Sequence, residues 1–229
     1  MASIALFCEG ASEARVLKRI VSECLGDDIP VNPIQPELTP DGRQKNPGGW
    51  LDVLEHCKDE FVQSAFATND FLIIQIDTDT CPETHYDVNI FNDQHEKVSD
   101  DILYDRVVER LKRDISPDVL SQYANQIIFA ICINEIECWL LPLYYSNEPQ
   151  MSCSTTGCIG KLNRKLSADN LGIPSTNKNS PQAISVYNKI LRQMKRKIIP
   201  TIAQYNVGFC KFVEQLNIVK SSMESVENN

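Results

Sequence analysis

Phe71-Leu72-Ile73-Ile74-Gln75-Ile76 runs without a break into Asp77-Thr78-Asp79. A short, almost wholly apolar run closed by acids is the pattern of a strand buried on both faces, as in a parallel sheet covered by helices. Two other stretches repeat it. Ile4-Ala5-Leu6-Phe7-Cys8 leads into Glu9-Gly10-Ala11-Ser12-Glu13, and the apolar run 127–133 leads through Asn134 into Glu135-Ile136-Glu137. Sites in open α/β sheets form outside the carboxyl ends of the strands. Three such ends deliver six carboxylates to one edge, and charge that dense stays ionised only with cations close by. The expected cation is divalent, Mg²⁺ or Mn²⁺.

Between these runs the chain alternates. Val16, Leu17, Ile20, Val21, Cys24 and Leu25 form an apolar stripe at helical spacing over 11–25. Residues 29–34, broken by prolines, suit a short edge strand, and the Pro/Gly punctuation of 36–49 marks a loop. A helix is expected over 50–67, an acidic excursion over 81–101, and a helix over 101–114 with Ile102, Leu103, Val107, Val108 and Leu111 inward. The last strand should run into a helix carrying Trp139-Leu140-Leu141. This β-α-(β)-α-β-α-β-α order predicts an α/β fold: a Rossmann-like, mainly parallel sheet flanked by helices. After Tyr145 the composition turns polar, with a short helix near 159–167 and longer ones over 182–198 and 205–219. The expected organisation is a core over 1–145, a basic, mostly helical extension over 146–220, and a flexible tail over 221–229.

With 229 residues, 42% hydrophobic and 23% charged, the chain has the makings of one sizeable domain and not of a disordered one. No apolar run approaches the ~20 residues that span a bilayer, and Met-Ala-Ser enters the first strand without a basic leader. Nine cysteines, with Cys8, Cys132 and Cys138 in apolar contexts, suit free thiols in a reducing cytoplasm. The net charge of −9 is uneven: residues 1–150 carry −16 and residues 151–229 carry +7. The densest basic segment holds Lys189, Arg192, Lys195, Arg196 and Lys197. It reads equally as a solvated face or as a nucleic-acid-binding one.

Asp77 and Asp79, two apart on extended backbone, project to one side, and paired hard oxygen donors suit Mg²⁺ or Mn²⁺. Glu9 and Glu13 straddle a strand-to-helix turn at which Gly10 permits a sharp change of direction. Taken singly, Glu13 reads as a helix-start acid and Asp77-Thr78-Asp79 as an Asx turn. Their recurrence at equivalent strand ends favours a metal site.

Glu9-Gly10 after a first strand, with Asp-x-Asp after a later one, resembles the TOPRIM fold of topoisomerases, primases and nucleases. Glu9-x-x-x-Glu13 and Asn134-Glu-Ile-Glu-Cys-Trp-Leu-Leu141 are more similar to one branch, the OLD-type and small stand-alone (DUF4276-like) TOPRIM nucleases of bacterial defence systems. The similarity covers residues 1 to about 145. It implies phosphodiester hydrolysis of DNA or RNA with two metal ions. Glu9 would be an acid–base or metal residue, Glu13, Asp77 and Asp79 metal ligands, and Glu135 or Glu137 the completion of the shell. It also implies a catalytic lysine, for which Lys161 and Lys178 in the polar region are the candidates. Small proteins of this branch resemble effectors beside an ATPase partner. This chain carries no P-loop of its own, so an ATPase partner is expected, and a homo-oligomer is a further expectation. An inactive interaction subunit is the competing class. Asp77-Thr78-Asp79-Thr80-Cys81 also resembles the haloacid-dehalogenase phosphatase motif, but Cys81 breaks that pattern and the reading leaves Glu9 and Glu13 unused.

Overall fold

The computed structural model describes residues 2–174, 178 and 180–227. Four strands, β1 (Ile4–Phe7), β2 (Val31–Gln35), β3 (Phe71–Asp77) and β4 (Ile127–Cys132), pair in the order β2-β1-β3-β4, and every pairing is parallel. The chain is therefore α/β with an all-parallel sheet, consistent with a Rossmann-like arrangement. Pro33 sits in the edge strand β2, where a missing N–H is tolerated.

Helices cover both faces. They are α1 (Ala11–Leu25), α2 (Trp50–His56), α3 (Asp59–Phe66), α4 (Asp100–Lys112), α5 (Pro117–Gln122), α6 (Pro149–Ser152), α7 (Cys158–Leu166), α8 (Pro181–Leu191), α9 (Ile199–Ala203) and α10 (Val207–Glu227). Alternate strand residues feed two separate cores. Ile4, Leu6, Ile73 and Ala130 pack with α1, α8 and α10, whereas Ala5, Phe7, Leu72, Ile74 and Phe129 pack with α2 to α5. Burial on both faces is why these strands read as unbroken apolar runs and not as alternating ones.

Several expectations change in detail. The helix over 50–67 is two helices, α2 and α3, separated at Cys57 and Lys58. Trp139-Leu140-Leu141 lies in a 3-10 segment, Ile136–Leu143, which contains Pro142, a residue that breaks α-helical hydrogen bonding. Trp139 stacks on Phe209 with ring centroids 4.8 Å apart. Ile102 is exposed and the inward face of α4 is Leu103, Tyr104, Val107 and Leu111. The helix expected over 182–198 stops at Leu191, and α10 continues through Glu227, past Ser221 where a tail was expected. Residues on both sides of the boundary expected near 145 share one core: Phe209, Phe212 and Leu216 of α10 lie buried in the same cluster as Ile4, Leu6 and Ile128. Gly208 permits this packing, since a Cβ there would stand 1.8 Å from the Ile131 carbonyl oxygen of β4. Cys138 is not a free thiol. It is bonded to Cys158, with Cα atoms 5.1 Å apart, a separation disulfide geometry allows. Cys8 and Cys132 are free and buried. Among the described residues no helix is long and apolar enough to cross a membrane.

Candidate metal centre

The strand order creates a switch point. From β1 the chain crosses through α1 to β2 on one side, then returns through α2 and α3 to β3 on the other. The connections leave on opposite faces of the sheet and open a crevice at the carboxyl ends of β1 and β3, the usual ligand position in such sheets. Glu9 follows β1, and Asp77 ends β3.

These two carboxylates are locked together through one polar strand residue. The backbone N–H of Asp77 donates to Glu9 Oε1 at 2.6 Å. The N–H of Glu9 donates to Gln75 Oε1 at 3.1 Å, and Gln75 Nε2 donates to Asp77 Oδ1 at 2.9 Å. Gln75 is completely buried. Its signal was present in the sequence, as the one polar residue inside an apolar strand, because a buried amide must find partners.

Gly10, between Glu9 and α1, has extended backbone that any residue adopts (φ −155°). Glycine is needed there for space instead: a Cβ would lie 2.5 Å from Glu13 Oε2. Glu13 is buried and accepts from the Ser12 hydroxyl at 2.8 Å. Asp79 is exposed, and its loop is stitched to the loop after β4. Asn134, in the left-handed region (φ 69°), accepts from the N–H of Asp79 at 3.2 Å and donates its own N–H to Thr78 Oγ1 at 2.7 Å. Asparagine is among the residues that tolerate this conformation, and the turn it makes delivers Glu135 and Glu137 to the same edge.

The electrostatics follow from this crowding. Burial, with Glu13 and Asp79 nearby, raises the Glu9 carboxyl to about 8 against the pull of its hydrogen bond from Asp77. Asp77 is raised well above the ordinary carboxylate range by burial first and then by Glu9, Glu13 and Glu137. Glu13 is raised by burial and by Glu137, and Asp79 and Glu135 are raised chiefly by burial.

One cation answers this charge. Lys178 Nζ lies 3.0 Å from Glu137 and 3.7 Å from Glu135, and among the described residues no other side chain forms an ion pair with the six acids. Burial alone would lower its pKa, but Glu137, Glu13 and Asp77 together outweigh that and hold the ammonium charged. Glu137 is fully buried and also accepts from the Tyr187 hydroxyl of α8. Glu135 Oε1 accepts from the N–H groups of Cys158 (3.0 Å) and Ile159 (3.2 Å) at the start of α7. The carboxylate of Glu135 and the Cys138 and Cys158 sulfurs lie within 4.8 Å of one another, but those sulfurs are bonded together.

The six acids thus share one edge, although no three of them bring carboxylate oxygens within 4.8 Å of one another, and of the two candidate lysines Lys178 reaches two of them, Glu135 and Glu137. Lys161 instead turns to Ser154 Oγ and the Thr156 carbonyl. Lys189, Arg192, Lys195, Arg196 and Lys197 are exposed on or just after α8, and none pairs with the acidic edge. Tyr187 and Gln75, which contact the cluster, were not anticipated from the sequence. No family model, curated protein or solved structure matches the chain, so the assignment rests on its own residues.

Proposed function

We propose that the chain is a divalent-metal-dependent hydrolase of nucleic-acid phosphodiesters, with Glu9, Asp77 and Asp79 as the principal ligands. The observation that carries the proposal is the Glu9–Asp77 pair. Two carboxylates are held together at the switch point, both pushed toward protonation, and among the described residues no side-chain cation lies within ion-pair distance of either, Lys178 acting on them only from further off. This donor set fits the metal: hard oxygens whose ionised form becomes favourable only when a cation joins them. When bound, such an ion polarises a phosphoryl oxygen and acidifies a coordinated water.

The chain's own residues supply the rest. Lys178, held charged beside Glu137, places a positive charge for a phosphate at the same edge. Tyr187 and the α7 N–H groups fix Glu137 and Glu135, so these two acids position Lys178. This arrangement favours one ion at Glu9, Asp77 and Asp79, with Lys178 beside it, over two ions sharing all six acids. Glu13 then borders both halves. Asp77 is only 5% exposed and carries a hydrogen bond from Gln75, which favours a ligand over a phosphatase-type nucleophile. The TOPRIM relationship, the defence role and the ATPase partner are supported by the sequence motifs alone.

Calorimetric titration with Mn²⁺ tests the reading. Wild type should bind and an Asp77→Asn/Asp79→Asn variant should not. Cleavage of labelled DNA and RNA should then require Mn²⁺ or Mg²⁺ and vanish in Glu9→Gln. Absence of Mn²⁺ binding by wild type would defeat the proposal in favour of an interaction subunit.

A further inference from the structure

A groove of about 450 Å³ runs between α1 and α8, walled by Arg15, Lys18 and Arg19 on one side and by Asn188, Arg192 and Lys195 on the other. Five cations from sequence positions more than 170 apart therefore line one cleft. The walls are pinned together. Arg19 Nε donates to the Met194 carbonyl at 3.2 Å, and Glu23, ion-paired to Arg19, accepts from the Arg196 N–H at 2.7 Å. Glu23 is also the acid nearest Lys195, at 4.0 Å.

The one further acceptor for a groove cation among the described residues is the Gly42 carbonyl, 3.5 Å from Arg15 Nη2. Among the described residues Arg15, Lys18 and Arg192 have no carboxylate partner, and Arg15 Nε is buried with no hydrogen-bond acceptor at all. Cations gathered in a cleft and left unpaired, in a chain of net charge −9, are a local demand for anions.

We infer that the α1/α8 groove binds backbone phosphates of the same nucleic acid whose scissile phosphate lies at the acidic edge. This inference rests on the proposed function and extends it to three α1 residues outside the C-terminal basic segment. Both helices that form the groove also serve the centre: α1 carries Glu13, two residues before Arg15, and α8 carries Tyr187, one residue before Asn188. At ~100° per residue Arg15 lies on the far side of α1 from Glu13, so the thickness of the helix, ~10–12 Å, separates the two positions. Along the axis of a duplex, where each strand places one phosphate per ~3.4 Å, that corresponds to about three nucleotides. The phosphates held in the groove are thus a few nucleotides from the one at the centre.

The test is fluorescence anisotropy with labelled single-stranded and duplex oligonucleotides in EDTA, where cleavage is silent, over a range of NaCl. Lys18→Glu/Arg192→Glu should weaken binding by about tenfold or more at low salt and reduce the slope of log affinity against log salt by about 2. Lys18→Gln/Arg192→Gln should show an intermediate loss. Lys97→Glu/Lys112→Glu, with the same charge change on the opposite face, should bind like wild type. Near-equal loss in that control, binding unchanged by the groove variants, no binding by wild type, or a preference for anionic vesicles over oligonucleotides would each overturn the inference. Mn²⁺ calorimetry on the same preparations separates the two proposals. An intact metal response with an inert groove sinks only the groove, and a specific groove with no metal response sinks only the hydrolase.

Discussion

The acidic edge has two halves that solve the same problem differently. Glu135 and Glu137 are met by an ammonium, a phenol hydroxyl and two backbone N–H groups. Glu9 and Asp77 receive a backbone N–H and an amide, and among the described residues no cation forms an ion pair with either. A carboxylate buried with its partners is structural by default, whereas one buried without a countercharge is expensive to keep ionised. Under the proposed function, the contrast assigns the metal to the β1/β3 side of the crevice and makes the β4 side its support.

Removing Lys178 should erase the contrast and gives the largest expected effect. Lys178→Met leaves the fully buried Glu137 without its cation, a loss of ~3 kcal/mol. For a chain of this length that is a fall in Tm of about 6–12 °C. Adding Glu137→Gln should restore much of it, because the uncompensated charge goes too. A melting curve unchanged by Lys178→Met would mean that the two halves are not distinct.

A pH titration probes the other half. Glu9 has its folded value raised to about 8 from an ordinary 4.5. The folded protein therefore holds a proton there that the unfolded chain releases, so this contribution to stability is present below about pH 4.5 and lost as pH rises through about 8. Asp77 and Glu13 act in the same direction. In EDTA the Tm should fall as the pH is raised from 5 to 8. Mn²⁺ should recover more of it at pH 8 than at pH 5, since the metal competes with protons for the same oxygens. A metal-free Tm that rises across this interval would contradict the assignment.

How far the sequence carried these features depends on the range of the contact. β1, β3, β4 and the placing of six acids at one edge follow from three local patterns, each an apolar run closed by carboxylates, while β2 was read from a proline-broken stretch and the parallel pairing from the alternation of strands with helices. The division of those acids into halves was not legible. Lys178 lies 41 residues from Glu137 and Tyr187 lies 50 from it, and no periodicity links them. Lys161, equally plausible on composition, is drawn to Ser154 and Thr156 by the turn that starts α7. The extension after 145 was set apart from the core because its composition turns polar there and its charge is basic. Its inward residues, Phe209, Phe212 and Leu216, in fact complete the cover over one face of the sheet.

The smallest expected effect sharpens the comparison most finely. In the metal-free protein burial and the neighbouring acids drive Asp77 toward its protonated form, and Asp77→Asn keeps the shape and the Oδ1 that accepts from Gln75. It should leave the stability in EDTA at pH 7 within about 1 kcal/mol of wild type, or raise it slightly, because it also relieves Glu9 of a neighbouring acid. The same variant should show no Mn²⁺-dependent rise in Tm, the shift that a ligand of the native state produces. A structural aspartate would behave the opposite way, losing stability on substitution while leaving the metal response intact. Paired melting curves with and without Mn²⁺ therefore separate a carboxylate kept for the fold from one kept for an ion.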